Sequence, residues 1–192
     1  MIRIITVVFL IACGQGLRAQ DPDFGGPEDT AYADALWQQM LTLKLVGDDL
    51  EEDQLYTGVQ PHGFVLENLV AEATLEGRTG ALVVKRNYGP SGIDMAVVER
   101  DRVAALKAVT VMFSRDASYD PGNQNWFYAK YRPDGSLDKN PKGVPLAGRV
   151  AKGVGPDGTD AGCIACHRAA PGNDFLFVTD LGGSWRAAVL VR

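Results

Sequence analysis

The chain has 192 residues and a mass of 20.6 kDa, which fits one domain built around a single hydrophobic core. Its 19 basic and 24 acidic side chains give a net charge of −5, which excludes nucleic acid as the default partner because phosphate binding needs a basic face. The composition is 46% hydrophobic, which excludes a disordered chain, and three cysteines are too few for a disulfide-stapled scaffold.

The first residues have the order of an export signal. Arg3 supplies a positive charge, and Ile4–Ala12 is an apolar run, interrupted only by Thr6, that is too short to span a bilayer. One reading places cleavage after Ala19, so that residues 1–19 are the signal. The other is a lipoprotein signal that ends at Ala12, with Cys13 lipidated and the protein anchored to a membrane. Both readings predict an exported protein, in the periplasm if the cell is bacterial.

A linker at residues 20–27, rich in proline and glycine, leads into one predicted domain at residues 28–192. The first predicted element is an amphipathic helix over Glu28–Val46, because apolar residues recur there at three- and four-residue spacing. Asp29 and Thr30 are its expected N-terminal caps and Gly47 its expected stop.

A second helix is predicted at Val70–Glu76. The rest of the chain has short β-like runs bounded by glycine, proline and aspartate turn signals. The predicted strands are Gly63–Glu67, Ala81–Tyr88, Ala108–Ser114, Asn125–Arg132 and Phe175–Thr179. No internal repeat divides the chain. The pattern predicts an α+β domain with a mainly antiparallel sheet.

The segment Cys163-Ile164-Ala165-Cys166-His167 has the spacing that attaches haem c. On one helical turn, two thiols can reach the two vinyl groups of a porphyrin, and the next residue can place an imidazole under the iron. We therefore expect one covalently bound haem c on Cys163 and Cys166, carried by a helix near the C-terminus, with His167 as the proximal iron ligand.

Other uses of the same five residues need partners that the sequence does not provide. A zinc site needs a fourth ligand, and His62 is the only other histidine. A thioredoxin-type dithiol needs a strand that runs into a helix, whereas a glycine-rich loop at residues 153–162 precedes this motif. Export and haem c support each other, since bacteria attach this haem outside the cytoplasm.

The second axial position of the iron has few candidates, because no methionine or histidine follows His167. Met40 and Met112 fit packing positions on a helix and a strand, and Met95 has no particular signal. His62 is left as a sixth ligand, a residue of the distal pocket or a turn histidine. An open sixth position is the leading interpretation, and it favours binding or chemistry of small molecules over pure electron transfer.

The chain resembles the cytochrome P-460 family, which includes the β-type cytochromes c prime, over about two-thirds of its length. The shared blocks, in order, are Pro61-His62-Gly63, Gly80–Tyr88, Thr110–Phe113, Asn125–Tyr131 with Pro133-Asp134-Gly135, the haem motif and Gly172–Phe175. The resemblance implies an antiparallel sheet of about five strands with helices around it, a five-coordinate haem and a homodimer.

Members of that family either oxidise hydroxylamine, with a lysine covalently joined to the porphyrin, or bind nitric oxide without this crosslink. Lys85 matches the position of the lysine, although Arg86 follows it where the family usually has glutamate. The alternative for Lys85 is a solvated lysine at the end of a strand.

Three functions therefore stay open: an oxidoreductase for small nitrogen compounds, a nitric oxide sensor or scavenger, and an electron carrier with His62 as sixth ligand. An enzyme would need a soluble electron-transfer partner and a distal base. Glu67, Glu72, Asp94 and Glu99 are the acidic candidates for that base. In the aromatic block, strand alternation places Trp126 and Tyr128 on one face and Phe127 away from them.

Overall fold

A computed structural model of the chain describes residues 24–59, 61–150, 153–154, 160–171 and 175–177. The predicted export signal and the first residues of the predicted linker lie outside this part. The helices are α1 (Pro27–Thr42), α2 (Met95–Arg100), α3 (Arg102–Ala105) and α4 (Cys163–His167), and a 3-10 turn covers Pro121–Asn123. The strands are β1 (Leu55–Thr57), β2 (Val65–Leu75), β3 (Arg78–Tyr88), β4 (Leu106–Ser114), β5 (Trp126–Tyr131), β6 (Ala147–Gly148), β7 (Gly153–Val154) and β8 (Asp160–Ala161).

Strands β1 to β6 form one sheet in chain order, and every neighbouring pair is antiparallel. The predicted α+β class with a mainly antiparallel sheet is therefore confirmed. The sheet has six strands rather than about five, because a three-residue strand and a two-residue strand extend its two edges. Strands β7 and β8 pair separately.

The prediction of a helix at Val70–Glu76 is wrong, because residues 65–75 form one continuous strand. Glu76 and Gly77 make a two-residue turn in which both φ angles are positive, at 51° and 79°. Such a turn matches the twist of a β-hairpin, and it aligns β2 with β3 along their full lengths. Eleven residue pairings along these strands outweigh the helical preference of the alanines and glutamates in β2.

The predicted central strands at Ala81–Tyr88, Ala108–Ser114 and Asn125–Arg132 are confirmed to within a few residues at each end. The strand predicted at Phe175–Thr179 is not found over residues 175–177, and its last two residues lie outside the described part.

Helix α1 begins and ends earlier than predicted. Gly26 is its N-cap, and no side chain caps the helix; Asp29 Oδ2 instead accepts a hydrogen bond from the Gly25 backbone N–H at 3.0 Å. The cap predictions for Asp29 and Thr30 are therefore wrong, and the helix ends at Thr42, well before Gly47.

Side chains on the two faces of the sheet enter two separate cores. The face that packs against α1 carries Phe127 and Tyr131, together with the helix residues Tyr32, Leu36 and Met40. The opposite face carries Trp126 and Tyr128, which pack against Ile164 of α4. We call these the helix face and the cavity face. The alternation predicted for the aromatic block is confirmed, and Met40 is a packing residue as predicted.

A buried ion pair joins two strands on the helix face. Glu67 and Arg86 are register partners in β2 and β3, and both are 0% exposed. Arg86 Nη1 lies 3.0 Å from Glu67 Oε2, and the same guanidinium donates to the Leu45 and Glu51 carbonyls. Glu67 also accepts hydrogen bonds from Tyr88 and Arg102. These bonds hold the segment after α1 against the sheet.

We predict that Arg86→Ala lowers the free energy of unfolding by about 3–5 kcal/mol, because it removes a buried charge partner from Glu67 and the donors to two carbonyls. Urea denaturation followed by circular dichroism measures this change. Arg78→Ala is the control: its ion pair with Asp116 is 3.7 Å long and partly exposed, so less than about 1 kcal/mol should be lost. Equal losses in both variants would contradict the prediction.

Candidate haem site

The residues with predicted chemical roles surround one cavity of about 370 Å³ on the cavity face. This volume lies within the range of about 300–1,000 Å³ that is typical of clefts for small molecules and cofactors. Its walls are the central strands of the sheet, the turn before β2 and helix α4. The cavity is lined by the five residues that sequence analysis assigned to haem attachment, iron ligation, the crosslink or the distal position: His62, Lys85, Cys163, Cys166 and His167.

The sheet forms this wall as two cross-strand rows, because strand register places alternate side chains directly opposite one another. One row is polar and the other is mostly apolar. The polar row is Asn68, Lys85, Thr110 and Lys130, and the apolar row is Val70, Val83, Met112 and Tyr128, of which all but Val70 line the cavity. Polar groups and apolar surface are therefore separated along the strand direction within one cavity.

Helix α4 is a single turn that carries the whole motif. Cys163 and Cys166 lie three residues apart, so both can reach the same side of the turn. They are free thiols, and the Cys163 side chain is half-buried whereas Cys166 is exposed. The Cys163 backbone N–H donates to the Val150 carbonyl at 3.0 Å, and Arg168 donates to Asn123 Oδ1 at 3.1 and 2.7 Å. These bonds fix both ends of the turn to the rest of the domain.

His167 is held in one tautomer by a backbone carbonyl. Its Nδ1 lies 2.6 Å from the Phe175 carbonyl oxygen, which can only accept, so Nδ1 carries the proton and Nε2 keeps its lone pair. Burial lowers the pKa of this imidazole, although the bond to Phe175 opposes the shift. A neutral imidazole whose other nitrogen is bonded to a backbone carbonyl has the arrangement typical of a metal-ligating histidine.

His62 faces His167 across the cavity, with ring centroids 6.2 Å apart and ring planes at 89°. Its Nδ1 lies 3.3 Å from Thr110 Oγ1 on the polar row. Burial lowers the pKa of His62 to about 3, and the charges of Lys85, His167 and Lys130 lower it further. This imidazole is therefore uncharged at neutral pH.

Lys85 is not a solvated lysine at the end of a strand. It lies within β3, is half-buried and has Asn68 and Thr110 as its register partners. Arg86, the departure from the family pattern, points to the helix face and takes part in the buried ion pair with Glu67. The departure therefore does not alter the wall of the cavity.

None of the acidic residues considered as a distal base lines the cavity. Glu67 belongs to the buried network on the helix face, and Asp94 caps α2 by accepting from the Ala96 N–H at 2.8 Å. Glu72 and Glu99 are exposed. Of the residues considered for the distal side in sequence analysis, His62 lines the cavity and the four acidic residues do not.

Sequence reasoning missed the role of Asn68, Thr110, Lys130 and Tyr128 in the cavity. Two of them carry buried atoms without a hydrogen-bond partner among the described residues: Asn68 Oδ1 and Tyr128 Oη. These residues are 6% and 2% exposed, and an unsatisfied buried polar atom costs about 1–3 kcal/mol. A cavity occupant with polar groups would remove this cost.

The groups at the cavity fit a haem c. Two free thiols lie on one helical turn, an imidazole presents Nε2, and an apolar row can cover a porphyrin. Within the described residues, no three His, Cys, Asp or Glu side chains are grouped to hold a metal ion. A haem iron does not require such a group, because the porphyrin supplies four of its ligands.

Comparisons of the chain with protein-family models, with curated proteins and with solved structures find no match. The likeness to the cytochrome P-460 family therefore rests on the sequence blocks alone. Among the described residues, no helix is both long and apolar enough to cross a membrane.

We predict that, in the haem-free chain, iodoacetamide modifies Cys166 much faster than Cys163. Burial raises the pKa of the Cys163 thiol to about 11, so about one such thiol in a thousand is ionised at pH 8, and only the thiolate reacts. The rate at Cys163 should rise about tenfold per pH unit up to pH 10. Mass spectrometry of the two labelled sites at timed intervals measures both rates. Equal rates at pH 8 would contradict the prediction.

Proposed function

We propose that this is an exported mono-haem c protein of the cytochrome P-460 type, which binds or oxidises small nitrogen compounds such as hydroxylamine or nitric oxide. The proposal depends on one observation: Cys163, Cys166, His167, Lys85 and His62 line the same cavity. Residues that are far apart in sequence, with the chemistry that this class requires, lie around one space.

Each residue has a role in the proposal. Cys163 and Cys166 bind the haem covalently, and His167 Nε2 ligates the iron. Phe175 orients the His167 ring through the bond to Nδ1. The haem, when bound, supplies an iron that can bind a small ligand and exchange electrons with it.

The polar row supports handling of a ligand rather than electron transfer alone. Lys85 and Thr110 lie on the same side of the cavity as His62, which Thr110 contacts. Asn68 adds a buried acceptor without a partner in the described part of the chain. An electron-transfer haem needs no such polar groups beside the iron.

The same proposal includes a homodimer, as in the family that the chain resembles, and an exported soluble electron-transfer protein as the acceptor if the ligand is oxidised. Oxidation of hydroxylamine removes electrons and protons, so both an acceptor and a proton-accepting group are required. The resemblance assigns Lys85 a crosslink to the porphyrin in the enzymatic case and none in the gas-binding case.

We predict that denatured protein keeps its haem through acid–acetone extraction, and that Cys163→Ala combined with Cys166→Ala releases it. Thioether bonds survive this treatment, whereas haem held by iron ligation alone enters the organic phase. A tryptic digest analysed by mass spectrometry tests the same point. A haem peptide that also contains Lys85 supports the oxidoreductase; one with Cys163 and Cys166 alone supports the gas-binding protein. Complete extraction of haem from unmutated protein would refute the proposal.

The placement of His62 favours a second candidate function, an electron carrier with two histidine ligands. Metal–nitrogen bonds of about 2.0–2.1 Å, with about 1.2 Å from nitrogen to ring centre, put two imidazoles on opposite sides of one metal about 6.4 Å apart. The observed separation of the His62 and His167 ring centroids is 6.2 Å. Ligation by both would leave no open position for a nitrogen compound.

The visible spectrum of the reduced protein separates these candidates. The ligand-binding function predicts a five-coordinate, high-spin iron that binds carbon monoxide or nitric oxide readily, with a spin state that His62→Ala leaves unchanged. The electron carrier predicts a low-spin iron that becomes high-spin in His62→Ala. Thr79→Ala, a change at an exposed residue outside the cavity lining, is the control and should alter neither spectrum.

A further inference from the structure

The hydroxyl of Thr110 lies at the centre of a small hydrogen-bond cluster beside the cavity. Its Oγ1 is 3.3 Å from His62 Nδ1, 3.4 Å from Asn87 Nδ2 and 3.5 Å from the Lys85 carbonyl oxygen. Thr110 belongs to the polar row, so its position is set by the register of β4 against β3.

The protons of this cluster can be assigned from the chemistry of its members. A hydroxyl donates one hydrogen bond and accepts two. The Lys85 carbonyl can only accept, so it takes the hydroxyl proton of Thr110, and the Asn87 amide donates to the hydroxyl oxygen. The acceptor capacity that is left faces His62 Nδ1, so all three contacts are satisfied together only when Nδ1 carries a proton. In a neutral imidazole, Nε2 then keeps a lone pair.

We propose that Thr110 is a positioning residue that holds His62 as the Nδ1–H tautomer, so that His62 presents Nε2 to the cavity as a hydrogen-bond acceptor. The inference rests on the proposed haem site and names the class of ligand favoured there. Small nitrogen compounds with N–H or O–H groups, such as hydroxylamine, can donate to Nε2. Nitric oxide and carbon monoxide carry no hydrogen, so they cannot donate a hydrogen bond to Nε2 and this acceptor does not strengthen their binding.

A further observation agrees with an acceptor at this place. Asn68 Oδ1, also on the polar row and in the lining of the same cavity, is a buried acceptor without a partner in the described part of the chain.

The tautomer can be measured directly by NMR of the reduced, carbon monoxide-bound protein labelled with ¹⁵N-histidine. The chain has two histidines, and His62→Gln identifies the signals of His62. We expect a protonated Nδ1 and an unprotonated Nε2 in the unmutated protein and in Thr110→Ser. In Thr110→Val, which keeps the shape but removes the hydroxyl, the Nε2–H tautomer should become populated. Thr79→Val, a change at an exposed threonine of β3 outside the cavity lining, is the matched control and should change nothing.

Ligand selectivity provides the second measurement, with O-methylhydroxylamine as a probe that keeps the N–H groups but blocks the hydroxyl. Thr110→Val should weaken binding of this probe about fivefold to tenfold, the loss of one hydrogen bond, and Thr110→Ser should restore it. Carbon monoxide affinity should change less than about twofold in either variant, since this gas donates no hydrogen bond.

An Nε2–H tautomer in the unmutated protein would overturn the inference, as would equal losses of probe and carbon monoxide affinity in Thr110→Val. A protein that purifies without covalent haem would refute the proposed function instead. The tautomer of His62 would still be measurable in that protein, so the two failures can be told apart.

Discussion

The register between β2 and β3 determines what every residue of the cavity can do. Side chains alternate between the two faces of a strand, so a slip of one residue would move Lys85 to the helix face and Arg86 into the cavity. Two features fix the register: the two-residue turn at Glu76-Gly77 and the ion pair between the register partners Glu67 and Arg86. A buried charge on the helix face thus helps to set the chemistry of the opposite face.

The electrostatics of the cavity follow from this arrangement. Its described lining contains two lysines and two neutral imidazoles. Glu67, which precedes Asn68 in the sequence, is buried on the opposite, helix face of the sheet. Lys130 is partly balanced by Asp138, whose carboxylate lies 2.9 Å from its ammonium. Lys85 is half-buried in the same lining, so a crosslink from it to the porphyrin would affect both the charge of the cavity and its reactivity.

Sequence reasoning located the motif, the central strands and the aromatic alternation, because each depends on a local pattern of a few residues. It failed where pairing between strands determines the secondary structure of a segment or the surroundings of a side chain. The segment Val70–Glu76 contains helix-forming residues, yet the turn that follows pairs it with β3. Lys85 was expected at the end of a strand because three polar residues, Lys85, Arg86 and Asn87, follow the apolar run. In the structure the strand continues through them: Lys85 faces the cavity, and Arg86 faces the buried core on the helix face. The polar row cannot be recognised until four strands are in register.

The order of the strands has a consequence for biogenesis. Sheet neighbours are also chain neighbours from β1 to β6, so no pairing has to bridge another strand and the sheet can assemble in chain order. All of these strands precede the motif in the chain. If the chain is secreted as proposed, with its N-terminal part delivered first, the sheet wall of the cavity can be complete before the two thiols emerge. The proposed attachment of haem to Cys163 and Cys166 would then take place on a late segment of the chain, beside a sheet that has already folded.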